Sequence, residues 1–94
     1  MILNDLQKLC YSAAKRSGHY DREWDLPGLL MMVTCELAEA VEADREGQDF
    51  AEELADSLIV LLGVCEHHGI DTTAEILRKM RINEQRDYLH GKKY

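Results

Sequence analysis

The tetrad Glu36-Leu37-Ala38-Glu39 returns seventeen positions later as Glu53-Leu54-Ala55-Asp56. Each copy sets two acids three residues apart, and on a helix such positions are neighbours, roughly 5–6 Å apart at Cβ. Two helices lying side by side would turn all four carboxylates into one small volume. Clustered anions repel and raise one another's pKa unless something cationic sits among them. A hard divalent ion with oxygen preference, Mg2+ or Mn2+, suits such a set. The repeat therefore asks for paired helices and points to metal-dependent chemistry on phosphate.

Hydrophobic periodicity supplies the helices. Leu3, Leu6, Leu9, Cys10, Ala13 and Ala14 describe an amphipathic helix over residues 2–17, stopped by Gly18. The polar stretch from His19 ends at Asp25-Leu26-Pro27, which reads as an N-cap followed by Pro in the first turn. The helix it opens runs to about Glu46, with a stripe of Leu26, Leu29, Leu30, Val33, Leu37, Ala40 and Val41. At about 100° per residue, Glu36 falls at one margin of that stripe, half buried, while Glu39 and Glu42 turn progressively away.

Gly47-Gln48-Asp49 is a short turn into a third helix, about 50–68, with Asp49 as N-cap and Glu52 as its reciprocal capping partner. From Leu58 to Cys65 this helix is apolar nearly all round, which makes it the central one. Glu53, Asp56, Val60 and Val64 share one side, so Asp56 is expected to head inward, an expensive place for an unpartnered charge. Gly69 ends this helix, and Asp71 or Thr72 caps a fourth that carries Ile76, Leu77, Met80 and Ile82. No β-alternation of useful length occurs. The expected fold is all-α, an antiparallel bundle of about four helices with short loops, forming one domain over residues 1–94.

At 94 residues one core barely sustains itself, and an all-apolar central helix asks for a second subunit. A homodimer or homotetramer is expected. The apolar run Leu58 to Cys65 is too short to span a bilayer, and Asn4, Asp5, Gln7 and Lys8 do not read as a signal peptide. Cys10, Cys35 and Cys65 are odd in number and widely spaced. They read as reduced, mostly buried thiols of a cytoplasmic protein, not as a disulfide frame or zinc site. Net charge is −7, divided unevenly: residues 1–76 hold 5 basic and 16 acidic side chains, residues 77–94 hold 6 and 2. An acidic body argues against a broad basic face for DNA or RNA. An acidic cradle with a basic tail suits a small phosphorylated ligand better.

In that tail Lys79, Asn83 and Arg86, at i, i+4 and i+7, share a helix face and form a donor strip for phosphate oxygens. Trp24, in the loop before the second helix, is either a stacking partner for a nucleobase or a hydrophobic anchor of its own loop. Glu42 extends the Glu36–Glu39 edge as an outer ligand or base. His67 and His68, being adjacent, face different directions, so one packed and one solvated ring is expected instead of a metal pair. The sequence has no Gly-rich phosphate loop, no Ser/His/Asp arrangement and no Cys–His nucleophile pair.

Three blocks in order carry a family resemblance. They are Leu30 through Arg45 with its Glu36-Leu37-Ala38-Glu39-Ala40-Val41-Glu42 centre, then Glu52-Glu53-Leu54-Ala55-Asp56, then Lys79-Met80-x-x-Asn83-x-x-Arg86-x-x-x-His90-Gly91-Lys92-Lys93. Together they resemble the MazG-like branch of the all-α NTP pyrophosphohydrolases over about residues 26–94. That superfamily also includes the dimeric dUTPases, the dCTP pyrophosphatases and the phosphoribosyl-ATP pyrophosphohydrolases. Cys35 stands where the fuller motif often has Glu, and Asp87 where a Pro commonly follows the Arg.

The resemblance implies hydrolysis of a nucleoside triphosphate between the α- and β-phosphates, releasing monophosphate and pyrophosphate. Glu36, Glu39, Glu53 and Asp56 then look like Mg2+ ligands, with Mn2+ as a substitute, and Lys79, Asn83 and Arg86 like phosphate contacts. Glu39, with Glu42 as alternate, would take the proton of a metal-acidified water. Two other expectations stay open: a same-fold hydrolase of another pyrophosphate such as phosphoribosyl-ATP, and a non-catalytic helical or metal-binding module.

Overall fold

The computed structural model describes residues 2–86, so Asp87, His90, Lys92 and Lys93 of the third motif block lie outside the described residues. Four helices follow one another: α1 (Ile2–Arg16), α2 (Leu26–Arg45), α3 (Phe50–His67) and α4 (Thr72–Glu84). No strand occurs among the described residues. The all-α fold and the element boundaries match the expectation from periodicity.

Short polar side chains start three of these helices. Asp25 accepts from Gly28 N at 2.8 Å, with Pro27 in the first turn; Asp49 accepts from Ala51 N at 3.0 Å; Asp71 accepts from Ala74 N at 3.2 Å. Each satisfies an amide that the helix itself leaves without a partner, an effect of about 1 kcal/mol. The box expected at α3 forms only in part: Asp49 bonds to Ala51, and among the described residues Glu52 makes no reciprocal bond. Gly69 stops α3 at φ +65°, which lets Ile70 N donate back to Cys65 O at 2.9 Å. Only glycine adopts that left-handed turn without steric cost.

Helix α3 is central, packed by α2 on one side and α1 on another, while α4 rests mainly on α1. The buried apolar core is small: Leu29, Ala40 and Ala43 of α2 with Leu62 and Val64 of α3. Here the structure departs from the sequence reading. Leu26, Leu30, Leu37 and Val41 of the α2 stripe are exposed, as are Leu6 and Leu9 of α1 and Ile76, Leu77, Met80 and Ile82 of α4. Among the described residues, these side chains are only partly covered. Cys35 is exposed and Cys10 and Cys65 are half-buried, so the thiols are less covered than expected.

Polar contacts hold α1 and α4 instead. Gln7, 2 % exposed, occupies the packed face of α1 where leucine was expected. Its Nε2 donates to Glu66 Oε1 at 3.0 Å and to Ile70 O at 2.8 Å, tying α1 to the end of α3. Asn4 Nδ2 donates to Asp71 Oδ1 at 2.8 Å, and Asn4 Oδ1 accepts from Thr73 N and Thr73 Oγ1, fixing the start of α4. Gln7→Ala should therefore lower unfolding stability by about 1–3 kcal/mol, through two lost bonds and a small void. Urea denaturation at fixed protein concentration measures this; an unchanged midpoint would contradict the tie.

Candidate metal-binding site

The two acid tetrads meet where α2 and α3 run together. Ligand oxygens of Glu36, Glu53 and Asp56 all lie within 4.8 Å of one another. Glu39, exposed three residues further along α2, is near enough for its charge to act on both Glu36 and Glu53, but it is not one of the three converging ligands. The register follows from the helices themselves. Glu36 and Glu39 flank the side of α2 that buries Ala40 and Ala43, and Glu53 follows the Asp49 cap in the first turn of α3. Small side chains at the contact allow the helices a close approach, so the acids at its edge converge.

Burial raises the Glu36 carboxyl above the usual glutamate range, and the charges of Glu39, Asp56 and Glu53 push it the same way. Glu53 is raised as well, by partial desolvation first and then by Asp56, Glu39 and Glu52. Every neighbouring charge acting on this pair is negative. Glu36 is half-buried, as expected; Asp56 is exposed instead of inward, on the solvent edge of the cluster.

This donor set fits Mg2+ or Mn2+. It offers only hard oxygen ligands, and it carries electrostatic repulsion that a divalent cation relieves. An ion equidistant from three atoms 4.8 Å apart sits within about 2.8 Å of each, so closure by about 0.7 Å reaches ordinary Mg2+ distances. Asp56 is exposed and Glu36 and Glu53 half-buried, and rotamer changes of such side chains make that adjustment.

The remaining candidates lie elsewhere. Glu42 is exposed and faces Arg45 at 3.6 Å, an i,i+3 pair outside the cluster. Lys79 and Asn83 are exposed on α4, and Arg86, also exposed, lies past its end, so the helix face expected of the three does not reach Arg86; α4 packs mainly on α1 and not on the α2–α3 pair that carries the acids. Trp24 anchors its loop: its indole N–H donates to His19 O at 2.8 Å, its ring stacks on His19, and Arg22 lies 4.0 Å from the ring centroid. Gly28 lets the ring approach, since a Cβ there would stand 3.2 Å from Trp24 Cε3.

The structure also reveals an aromatic group that sequence reading missed. Tyr20 stacks on His67 at 4.7 Å and meets Tyr11 edge-on at 4.8 Å, and Tyr11 Oη lies 3.0 Å from His67 Nδ1. Both His67 and His68 keep exposed surface, but of the two it is His67 that packs on the Tyr20 and Tyr11 rings, as the expected difference between them requires. Burial, then the neighbouring Tyr11, raises the Tyr20 phenol. Tyr20 and His19 line a cavity of about 270 Å3 with Val60 and Gly63. The rest of its lining comes from α1, the loop after it and α3, so the cavity lies between α1 and α3 and none of the acids lines it. The apolar run of α3 was a readable signal; the return of the Tyr20 loop onto α3 was not.

Comparison with family models, with curated proteins and with solved structures finds no match.

The raised carboxyls set a pH dependence for the metal-free protein. A folded-state pKa above the unfolded value, roughly 4.3 for glutamate, contributes stability that is present below the unfolded value. That contribution is lost as pH rises through the folded value. Asp71 has the opposite sign: its bonds from Asn4 and then Ala74 N lower it, so its contribution is lost only as pH falls below the usual aspartate range. Without metal, stability should therefore decline as pH rises above the unfolded glutamate value, and Glu36→Gln should flatten that decline and raise the melting temperature at pH 7. Melting curves in chelator up to pH 7 test it; a Glu36→Gln variant no more stable than the parent at pH 7 would count against the mutual repulsion.

Proposed function

We propose that this chain is a Mg2+-dependent nucleoside triphosphate pyrophosphohydrolase, a cytoplasmic enzyme of the MazG-like kind that acts as a homodimer or homotetramer. The observation that carries the reading is the convergence of Glu36, Glu53 and Asp56 from two helices, with the charge of Glu39 acting on the first two. The same four positions are those that the three-block resemblance assigns to metal.

In this reading Glu36, Glu39, Glu53 and Asp56 hold Mg2+ or Mn2+. The ion, when bound, neutralises triphosphate charge and acidifies a coordinated water. Glu39, exposed at the edge of the cluster, accepts the proton of the attacking water, with Glu42 as alternate. Within one chain Lys79, Asn83 and Arg86 lie apart from the acids, so in this reading it is across a contact between subunits that they donate to phosphate oxygens and stabilise charge on departing pyrophosphate. Tyr20 and His19, which line the cavity between α1 and α3, would supply aromatic contact to a nucleobase.

Pyrophosphate release from a panel of nucleoside triphosphates, with phosphoribosyl-ATP included, tests the assignment. Turnover should require Mg2+ or Mn2+, and Glu53→Gln or Asp56→Asn should lower kcat/KM by roughly a hundredfold or more without unfolding the protein. Near-parental turnover in either variant at saturating metal would sink the four-carboxylate site. Lys79→Ala and Arg86→Ala should each cost about ten- to a hundredfold in kcat/KM while leaving Mg2+ affinity nearly unchanged. A lowered melting temperature with parental kinetics would instead mark α4 as a merely structural helix.

A further inference from the structure

Helix α3 carries a glycine in its interior, Gly63, buried where α1 and the Tyr20 loop pack on it. Glycine weakens a helix at such a position, and the usual reason for one is a close backbone approach. Here the backbone does not require it. A Cβ on Gly63 would stand 3.5 Å from Tyr20 Oη and 4.0 Å from Tyr11 Cα, both ordinary contact distances. Alanine would therefore fit this chain and strengthen α3. Gly63 also lines the cavity of about 270 Å3 between α1 and α3, and the room left by its missing methyl group faces Tyr20, another wall of that cavity.

The size of the cavity sets the class of ring it takes. At about 30 Å3 per water-sized group, it holds about nine such groups. A two-ring base fills that volume, whereas a one-ring base leaves part of it empty and forfeits contacts with the wall. A methyl group at Gly63 would take about one of those places and still leave a one-ring base its room. The lining suits a flat ring: Ile59, Val60 and Ala14 are apolar, and His19 and Tyr20 are aromatic. Tyr20 is itself braced, stacked on His67 at 4.7 Å and edge-on to Tyr11 at 4.8 Å, so the wall opposite Gly63 is held in place. Val60 and Gly63 follow Asp56 by four and seven residues, on the same side of α3 and about 6 and 10 Å along it. A ribose and its first phosphate bridge such a length.

We infer that Gly63 is a specificity-determining residue of the nucleobase site, its bare backbone admitting a two-ring base, so that purine nucleotides are the preferred substrates. The inference rests on the hydrolase reading and adds to it the substrate class.

Steady-state pyrophosphate release with Mg2+, over a panel of purine and pyrimidine nucleoside triphosphates, compares the parent with Gly63→Ala. The parent should take purine triphosphates with the higher kcat/KM. Gly63→Ala should lower the purine-to-pyrimidine ratio of kcat/KM at least about tenfold, the scale of one methyl group in a close-fitting pocket. Its melting temperature should rise by a few degrees, since alanine is the better helix former. If Gly63→Ala does not fold, Ala14→Val, which narrows the same cavity from α1, decides by the same ratio. A parent that prefers pyrimidine triphosphates would overturn the inference and leave the hydrolase reading standing. So would a variant whose ratio is unchanged, whether its activity is parental or uniformly lowered. A parent that turns over no nucleotide on the panel would fail the hydrolase reading, and this inference with it.

Discussion

The packing of α2 against α3 is the contact on which the rest of the molecule depends. Its buried side chains are Leu29, Ala40 and Ala43 on one helix and Ser57, Leu62 and Val64 on the other, and at the end nearer the acids they are the small ones, Ala40, Ala43 and Ser57. Small side chains let the helix axes approach, and whatever lies at the edge of the contact is then drawn together. Here those edge positions are carboxylates. Apolar attraction along the seam opposes electrostatic repulsion at its margin, and the fold holds because packing acts over many atoms while the repulsion is partly screened by solvent.

That opposition gives the acid cluster its chemical character. A carboxylate group gathered for stability alone would be paired with lysine or arginine, and the cations nearest in sequence are used otherwise. Arg45 faces Glu42, and Arg78 pairs with Glu75 on α4 at 2.9 Å. Both pairs are exposed and worth little to stability. The charges around Glu36 and Glu53 remain negative, a state in which a divalent cation gains binding energy by relieving repulsion already present in the fold.

The outer helices obey a different logic. Helix α4 buries only Thr72 and carries its apolar side chains in the open, so its position is set by Asn4, Asp71 and Thr73 instead of by a core. Gln7 does the same for α1 at the far end of α3. Directional bonds fix where these helices sit, but they supply little of the apolar burial that normally offsets chain entropy. One chain thus forms its helices and its acid cluster while leaving much of its hydrophobic surface uncovered.

Helix limits, caps and the central place of α3 were all legible in the residues, because they depend on local rules: a capping Asp at 25, 49 and 71, a glycine after α1 and α3, and a period of about 3.6 residues. The half-buried place of Glu36 and the meeting of the two tetrads followed from the same period, since two adjacent antiparallel helices leave few registers open. Burial was not legible in the same way. Leu6, Leu37 and Leu58 have the spacing of core residues and are exposed, while Gln7 is polar and buried. Periodicity identifies a face, but not what lies opposite it; that is decided by how many helices one chain brings together. The return of the Tyr20 loop onto His67, and the docking of α4 on α1 apart from the acids, are likewise contacts between distant segments. Sequence alone determined the helices and their chemistry, and tertiary structure decided which faces met, because contact between distant segments depends on three-dimensional packing that local propensity does not encode.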